Sequence, residues 1–244
     1  MAISGAADVV FVHAAGKGGE AAWPWQVDRD LGRPATFLTR RGWDSEPLPE
    51  RYTLAGEADW LATCLHGPAH VVAHSWSGVV ALDAALRFPD NFASLLLAEP
   101  AALSIATEDA DVRAHIDSMR PAYEPGISVE EFGRRLMRGI GGSGGSNLEW
   151  SDEQRRAMRR LQRHEPPWKA DATARGLGDL SVPTLVVSSR DAGMYATIAA
   201  GLAESSTRVR WKVIDGPSHR PQDTEAFNDL AMQWWTSADR ELEP

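Results

Sequence analysis

Short, continuous apolar runs alternate with amphipathic ones along this chain. Residues 8–13, 35–39, 69–73, 93–98, 183–188 and 209–214 are each a few residues long and rich in β-branched side chains or leucine. Strands buried on both faces have this pattern. Between them, residues 22–31, 54–65, 77–88, 195–203 and 224–235 carry apolar positions at helical spacing. The alternation predicts an α/β fold, a mostly parallel sheet of about six strands with helices on both faces. Chemistry in such sheets sits at the carboxyl ends of the strands.

The rhythm breaks between residues 103 and 180, where no convincing strand occurs. Helical candidates lie at 109–119, 129–138 and 152–163, with a Gly/Ser run at 141–146. A connection this long is functional more often than not. The expected organisation is a core of residues 1–102 and 181–244, with 103–180 as a helical cap over the carboxyl edge. The plainer alternative is a pair of ordinary crossover helices. No internal repeat is present.

Composition narrows the class. A chain of 244 residues is an ordinary length for one α/β domain, and 43% hydrophobic with 24% charged residues is a globular balance. A net charge of −9 argues against nucleic acid or anionic membrane as a partner. The one cysteine, Cys64, excludes an intrachain disulfide and reads as a buried structural thiol. No signal peptide is evident and no run approaches a membrane span, so the expected compartment is the cytoplasm. The scattered histidines and absent cysteine pairs call for no metal, and no cofactor is expected. The expected partner is a small-molecule substrate. Monomer and homodimer both stay open, because the apolar last helix (Leu230, Met232, Trp234, Trp235) suits a core or an interface.

The hexapeptide Ala73-His74-Ser75-Trp76-Ser77-Gly78 joins a predicted buried strand to a predicted helix. A serine on such a sharp turn is a nucleophile elbow: the hydroxyl stands clear of the sheet edge and the next N–H points at the same spot. A neutral serine needs a base, an acid to orient that base, and donors for a developing oxyanion. The chain order at such sites is Ser, then Asp or Glu, then His. Asp191 follows the fifth strand in Ser188-Ser189-Arg190-Asp191, and His219 follows the sixth in Gly216-Pro217-Ser218-His219. The expected triad is Ser75, Asp191 and His219. Read singly, Asp191 is a helix cap and His219 a surface residue; together, at three strand ends in the right order, they point to catalysis. Glu99, which ends the fourth strand, is the rival acid.

The loop after the first strand, His13-Ala14-Ala15-Gly16-Lys17-Gly18-Gly19, offers the second oxyanion donor. The expected pair is the N–H of Ala15 and that of Trp76, with Ala14 as fallback. His13 reads as structural support and Lys17 as a solvated charge. Trp23, Trp25, Trp150 and Trp168 are candidates for the substrate pocket, although aromatic residues are more often plain core.

These motifs together resemble the α/β-hydrolase superfamily, and the resemblance covers most of the chain outside the cap. It implies the α/β-hydrolase fold, shortened to six strands. Departures are His13-Ala14 for the usual His-Gly, Ala73 and Ser77 for the glycines flanking the elbow, and Ser218 for the glycine before the histidine. None removes a catalytic group. Ser75 excludes the subgroups with a carboxylate nucleophile, the haloalkane dehalogenases and epoxide hydrolases.

The expected function is a serine hydrolase, esterase- or lactonase-like, cleaving a small and mostly apolar carboxylic ester or lactone through an acyl-enzyme. The alternatives are other chemistry on the same scaffold (C–C bond hydrolysis, a lyase or a biosynthetic cyclase) and a non-catalytic ligand-binding relative.

Overall fold

The computed structural model describes residues 7–43, 48–139, 150–169 and 176–242. The Gly/Ser run at 141–146 lies outside the described residues. Six strands, β1 (Val9–Val12), β2 (Ala35–Leu38), β3 (Ala69–His74), β4 (Phe92–Ala98), β5 (Thr184–Ser189) and β6 (Val209–Ile214), form one sheet in the order β2-β1-β3-β4-β5-β6. Every pairing is parallel. All residues of β1, β3, β4 and β5 are buried, which is why these segments read as unbroken apolar runs; the edge strands β2 and β6 are partly exposed.

The two-residue period of each strand sorts its side chains between two cores. Val10, Val12, Val71, Leu95, Leu97 and Val186 meet α1 (Leu54–Cys64), α2 (Trp76–Arg87) and, from β5 onward, the helix Met194–Ser205. Val9, Phe11, Val72, Leu96, Leu185 and Val187 meet the last helix, Glu225–Leu242, through Phe227, Ala231, Trp234 and Trp235. Trp234 and Trp235 therefore belong to the core, and Trp234 Nε1 donates to the Leu95 carbonyl at 3.0 Å. Leu230 and Met232 pack, partly buried, against the same core.

Between β4 and β5 come α3 (Ala110–Met119), α4 (Val129–Gly139) and α5 (Asp152–Gln162), with short 3-10 turns and no sheet strand among the described residues. Two of them start with side-chain caps: Asp109 caps α3, and Ser151 with Gln154 forms a capping box on α5. The end of α5 is tied to the segment before α1, where Tyr52 N donates to Arg163 O at 2.9 Å and Glu165 N to Tyr52 O at 3.0 Å. The helices after β5 and β6 are α6 (Met194–Ser205) and α7 (Glu225–Leu242).

One expected helix is absent. Residues 22–31 form no α-helix; a 3-10 turn at Gly19–Ala22 runs into successive turns. Pro24 disfavours helical geometry at Trp23, which sits at φ −126° and ψ 53°. The segment is fixed instead by Gln26, whose Nε2 donates to Gln222 O at 2.8 Å and to Asn228 Oδ1 at 2.7 Å. Cys64 is half-buried rather than buried. No helix among the described residues is long and apolar enough to cross a membrane.

Candidate active site

The strand order reverses direction between β1 and β3, so the connections that leave the carboxyl ends of these two paired strands run to opposite sides and leave a crevice. Ser75 stands at that point, directly after β3, with φ 55° and ψ −122°. This conformation is costly for a residue with a Cβ, on the order of 1–3 kcal/mol, and needs its surroundings to hold it. They do so on both sides of the residue. Ser75 N donates to Ala98 O at 3.0 Å, and Ser75 O accepts from Gly78 N at 2.9 Å and Ala101 N at 3.0 Å. Gly78 lies so close to the loop after β4 that a Cβ there would stand 2.7 Å from Pro100 Cβ. Ser77, fully buried, donates its hydroxyl to His13 O at 2.5 Å and stitches the elbow to the loop after β1.

That loop is held from beneath by His13. Arg40 N donates to His13 Nε2 at 3.0 Å, so the ring proton is on Nδ1, which donates to Ala14 O at 2.7 Å. Trp43 Nε1 donates to Gly16 O at 2.9 Å. The carbonyls on both sides of Ala15 are thereby tied off, while the Ala15 N–H makes no hydrogen bond among the described residues. Trp76 opens α2, where the first backbone N–H groups have no helical partner and the helix dipole is positive. Ala15, Trp76 and Ser75 line one cavity, and Ala14 lines a smaller depression beside it. Lys17 is exposed at the rim of that depression.

The acid side of the site departs from expectation. Glu99, at the end of β4, is fully buried. Its Oε1 accepts from Ser189 N at 2.8 Å and from Ser189 Oγ at 2.7 Å, and its Oε2 faces His219 Nδ1 at 3.4 Å. Those last two atoms are buried and have no other partner. Asp191 is exposed and makes no hydrogen bond or ion pair with His219. The cause is where β5 ends: the strand runs on through Ser189, whose backbone is committed to Glu99, and the turn after it carries Asp191 outward. The neighbouring Arg190 pairs with Asp215 at 2.7 Å.

The backbone points to the same three residues. Among the described residues, the non-glycine residues with positive φ are Ser75 at 55°, Glu99 at 41° and His219 at 59°. Strain of this kind persists where the surroundings over-determine it, and it clusters at functional sites.

Two further side chains fix His219. His74 is buried, and its Nε2 donates to the His219 carbonyl at 2.6 Å, bracing the loop. Burial, with the neighbouring His219 adding to it, lowers its pKa to about 3, so it stays neutral. Tyr195, on α6, stacks on the His219 ring at 4.4 Å between centroids and 17° between planes. His74, Ser189 and Tyr195 all lie in or beside the motifs read from the sequence, but nothing in a one-dimensional pattern marks a carbonyl brace or a ring stack.

The cavity beside Ser75 has a volume of about 500 Å³ and is closed by Leu103, Met119, Leu136, Leu161 and Met194 from the helical segments. The four expected tryptophans do not line it. Trp23 is core and borders the smaller depression of about 260 Å³; Trp25 is 49% exposed. Trp150 packs on Gly133 of α4, and Trp168 packs edge-on against Tyr123. Trp76, next to the serine, is the tryptophan that lines the cavity.

The family model of the alpha/beta hydrolases matches residues 9–231, nearly the whole chain. The chain belongs to the alpha/beta hydrolase family. Among solved structures it is similar to the meta-cleavage product hydrolase CumD from Pseudomonas fluorescens IP01, with a TM-score of 0.69 at 17% identity over 95% of this chain and 91% of that one. It is also similar to MenH from S. aureus, with a TM-score of 0.64 at 17% identity over 97% and 96% of the two chains. A carboxylesterase of the thaumarchaeon Nitrososphaera gargenis gives a TM-score of 0.64 at 14% identity over 97% and 92%. No curated protein matches the sequence. At these identities the structural likeness establishes the fold, while the chemistry rests on the site's own residues.

Proposed function

We propose that this chain is a serine hydrolase of small, mostly apolar carboxylic esters or lactones, with Ser75 as nucleophile, His219 as general base and Glu99 as orienting acid. The observation that carries this reading is the convergence of the three strained residues, with the buried Glu99 carboxylate 3.4 Å from His219 Nδ1. His219 takes the Ser75 proton as the hydroxyl attacks the carbonyl. Glu99 holds the imidazole with its proton on Nδ1 and stabilises the imidazolium that forms. The Ala15 and Trp76 N–H groups receive the oxyanion. The tetrahedral intermediate collapses to an acyl-enzyme, His219 protonates the leaving alcohol, and water then releases the acid. The insertion between β4 and β5 acts as the cap, supplying the apolar wall that excludes bulk water.

The test is hydrolysis of p-nitrophenyl esters from acetate to decanoate by wild type and Ser75→Ala. Turnover lost in the variant, with a chain-length optimum, is the expected result. No turnover by folded wild type, lactones included, overturns the reading. The same Ser-His-acid machinery also suits hydrolysis of a C–C bond, and the polar imidazoles of His115 and His164 in the cavity wall favour testing a vinylogous diketone alongside the esters.

A further inference from the structure

His164, just past α5, lines the cavity that contains Ser75 and is 8% exposed. Its ring is locked by three others: it stacks on Tyr52 at 4.4 Å and 9°, and meets Trp43 and Trp76 edge-on at 6.0 Å and 5.8 Å. Its backbone is pinned as well, since its N–H donates to Leu161 O and both flanking residues bond to Tyr52. Yet neither ring nitrogen has a hydrogen-bond partner among the described residues; Nε2 is enclosed by the protein, so Nδ1 is the nitrogen that a ligand in the cavity can reach. Burial, reinforced by the positive charge of Arg40, holds the imidazole pKa well below its usual value, so the ring is neutral.

A buried polar atom left unpaired costs about 1–3 kcal/mol, and in a rigid setting it cannot turn away to find a partner. Ligand sites tolerate that cost, because a substrate that supplies the missing bond is selected over an analogue that lacks it. Most of the remaining wall is apolar, His115, Tyr123, Glu165, Tyr195 and Ser218 being its other polar side chains away from Ser75 and His219, so a polar contact at His164 contributes to orientation as well as affinity. The nearby cation Arg40 does not line the cavity, and its Nε and Nη2 are engaged with Glu57, at 3.1 and 2.8 Å.

We propose that His164 is a specificity-determining residue: it hydrogen-bonds a neutral oxygen, hydroxyl or carbonyl, on the otherwise apolar substrate held in the cavity. The inference rests on the cavity being the substrate site, but not on ester turnover. The substrate class becomes an ester or lactone with a second oxygen function separated from the scissile carbonyl by an apolar stretch.

The test uses compounds that do not react. Binding of 4-phenyl-2-butanone, 4-phenyl-2-butanol and the hydrocarbon isostere butylbenzene to wild type is measured by calorimetry, and histidine ¹⁵N shifts are followed by NMR. The oxygenated compounds are expected to bind at least about fivefold more tightly, as one net hydrogen bond allows, and to shift the His164 nitrogens. His164→Phe removes the discrimination; His164→Gln, which keeps a donor and an acceptor, restores part of it. No discrimination or no binding by wild type, or unmoved His164 resonances in the bound protein, overturns the proposal. These readouts need only wild-type protein, so a variant that fails to fold leaves the test decisive. Failure of the serine-hydrolase reading would instead appear in the ester assay, with this discrimination intact.

Discussion

Glu99 Oε2 and His219 Nδ1 face each other at 3.4 Å, and neither atom has another partner. The other oxygen of Glu99 is doubly bonded to Ser189, so the carboxylate cannot swing away without breaking two hydrogen bonds. The imidazole is flanked by the Tyr195 stack and by the His74 ring at 4.9 Å between centroids, while His74 Nε2 braces the His219 carbonyl.

Glu99→Gln is therefore expected to lower kcat for p-nitrophenyl butanoate by about 10²-fold or more, because an amide can present a donor to Nδ1 and favour the wrong tautomer. Asp191→Asn should stay within about twofold of wild type, as expected for an exposed surface position. The reverse ranking in steady-state kinetics would return the acid role to Asp191.

Tyr195→Phe keeps the ring on His219 and should retain kcat within about twofold, whereas Tyr195→Leu loses an aromatic stack of about 0.5–1.5 kcal/mol and should lower kcat up to about tenfold. Equal kcat values for the Phe and Leu variants would show that the stack does not position the imidazole.

Gly78→Ala places a methyl 2.7 Å from Pro100 Cβ and 3.1 Å from Pro100 Cα. The backbone must move, at an expected cost of about 1–3 kcal/mol in urea unfolding. Because the adjacent Ala101 N–H bonds to Ser75 O, activity should fall further than stability alone accounts for. A variant with wild-type stability and activity would mean the loop after β4 yields freely.

His70 provides a pH test away from the site. It donates from Nε2 to Asp239 at 2.9 Å and accepts at Nδ1 from Ser94 Oγ at 2.8 Å. Burial outweighs the pull of Asp239 and lowers its pKa from 6.5 to about 4. Between those values the unfolded chain binds a proton that the folded chain refuses. His70 thus contributes its full stability above pH 6.5, and loses it as pH falls toward 4, at up to about 1.4 kcal/mol per pH unit. Urea midpoints measured from pH 7.5 to 4.5 should fall less steeply for His70→Gln than for wild type; parallel curves would refute the assignment.

The six strands and most helices were legible in the chain because a strand buried on both faces must be apolar throughout, and β1, β3, β4 and β5 are buried at every residue. The turn at Ser75 was legible for a similar local reason, since small residues must flank a tight strand-to-helix corner. The failed helix at residues 22–31 shows the limit of periodicity: its apolar spacing was right, but Pro24 and the distant bonds of Gln26 to the last helix decided the backbone.

By itself, then, the sequence determined the sheet, its direction and the strand ends at which Ser75, Glu99, Asp191 and His219 emerge, because these follow from hydrophobic period and local turn chemistry. Only the tertiary structure decided which carboxylate meets the imidazole. That choice depends on β5 running through Ser189 and committing it to Glu99 across the neighbouring strand, a contact between residues 90 positions apart. It likewise decided which aromatic residues wall the cavity, and left His164 inside it without a partner. Such pairings come from the packing of segments distant in sequence, and no local pattern encodes them.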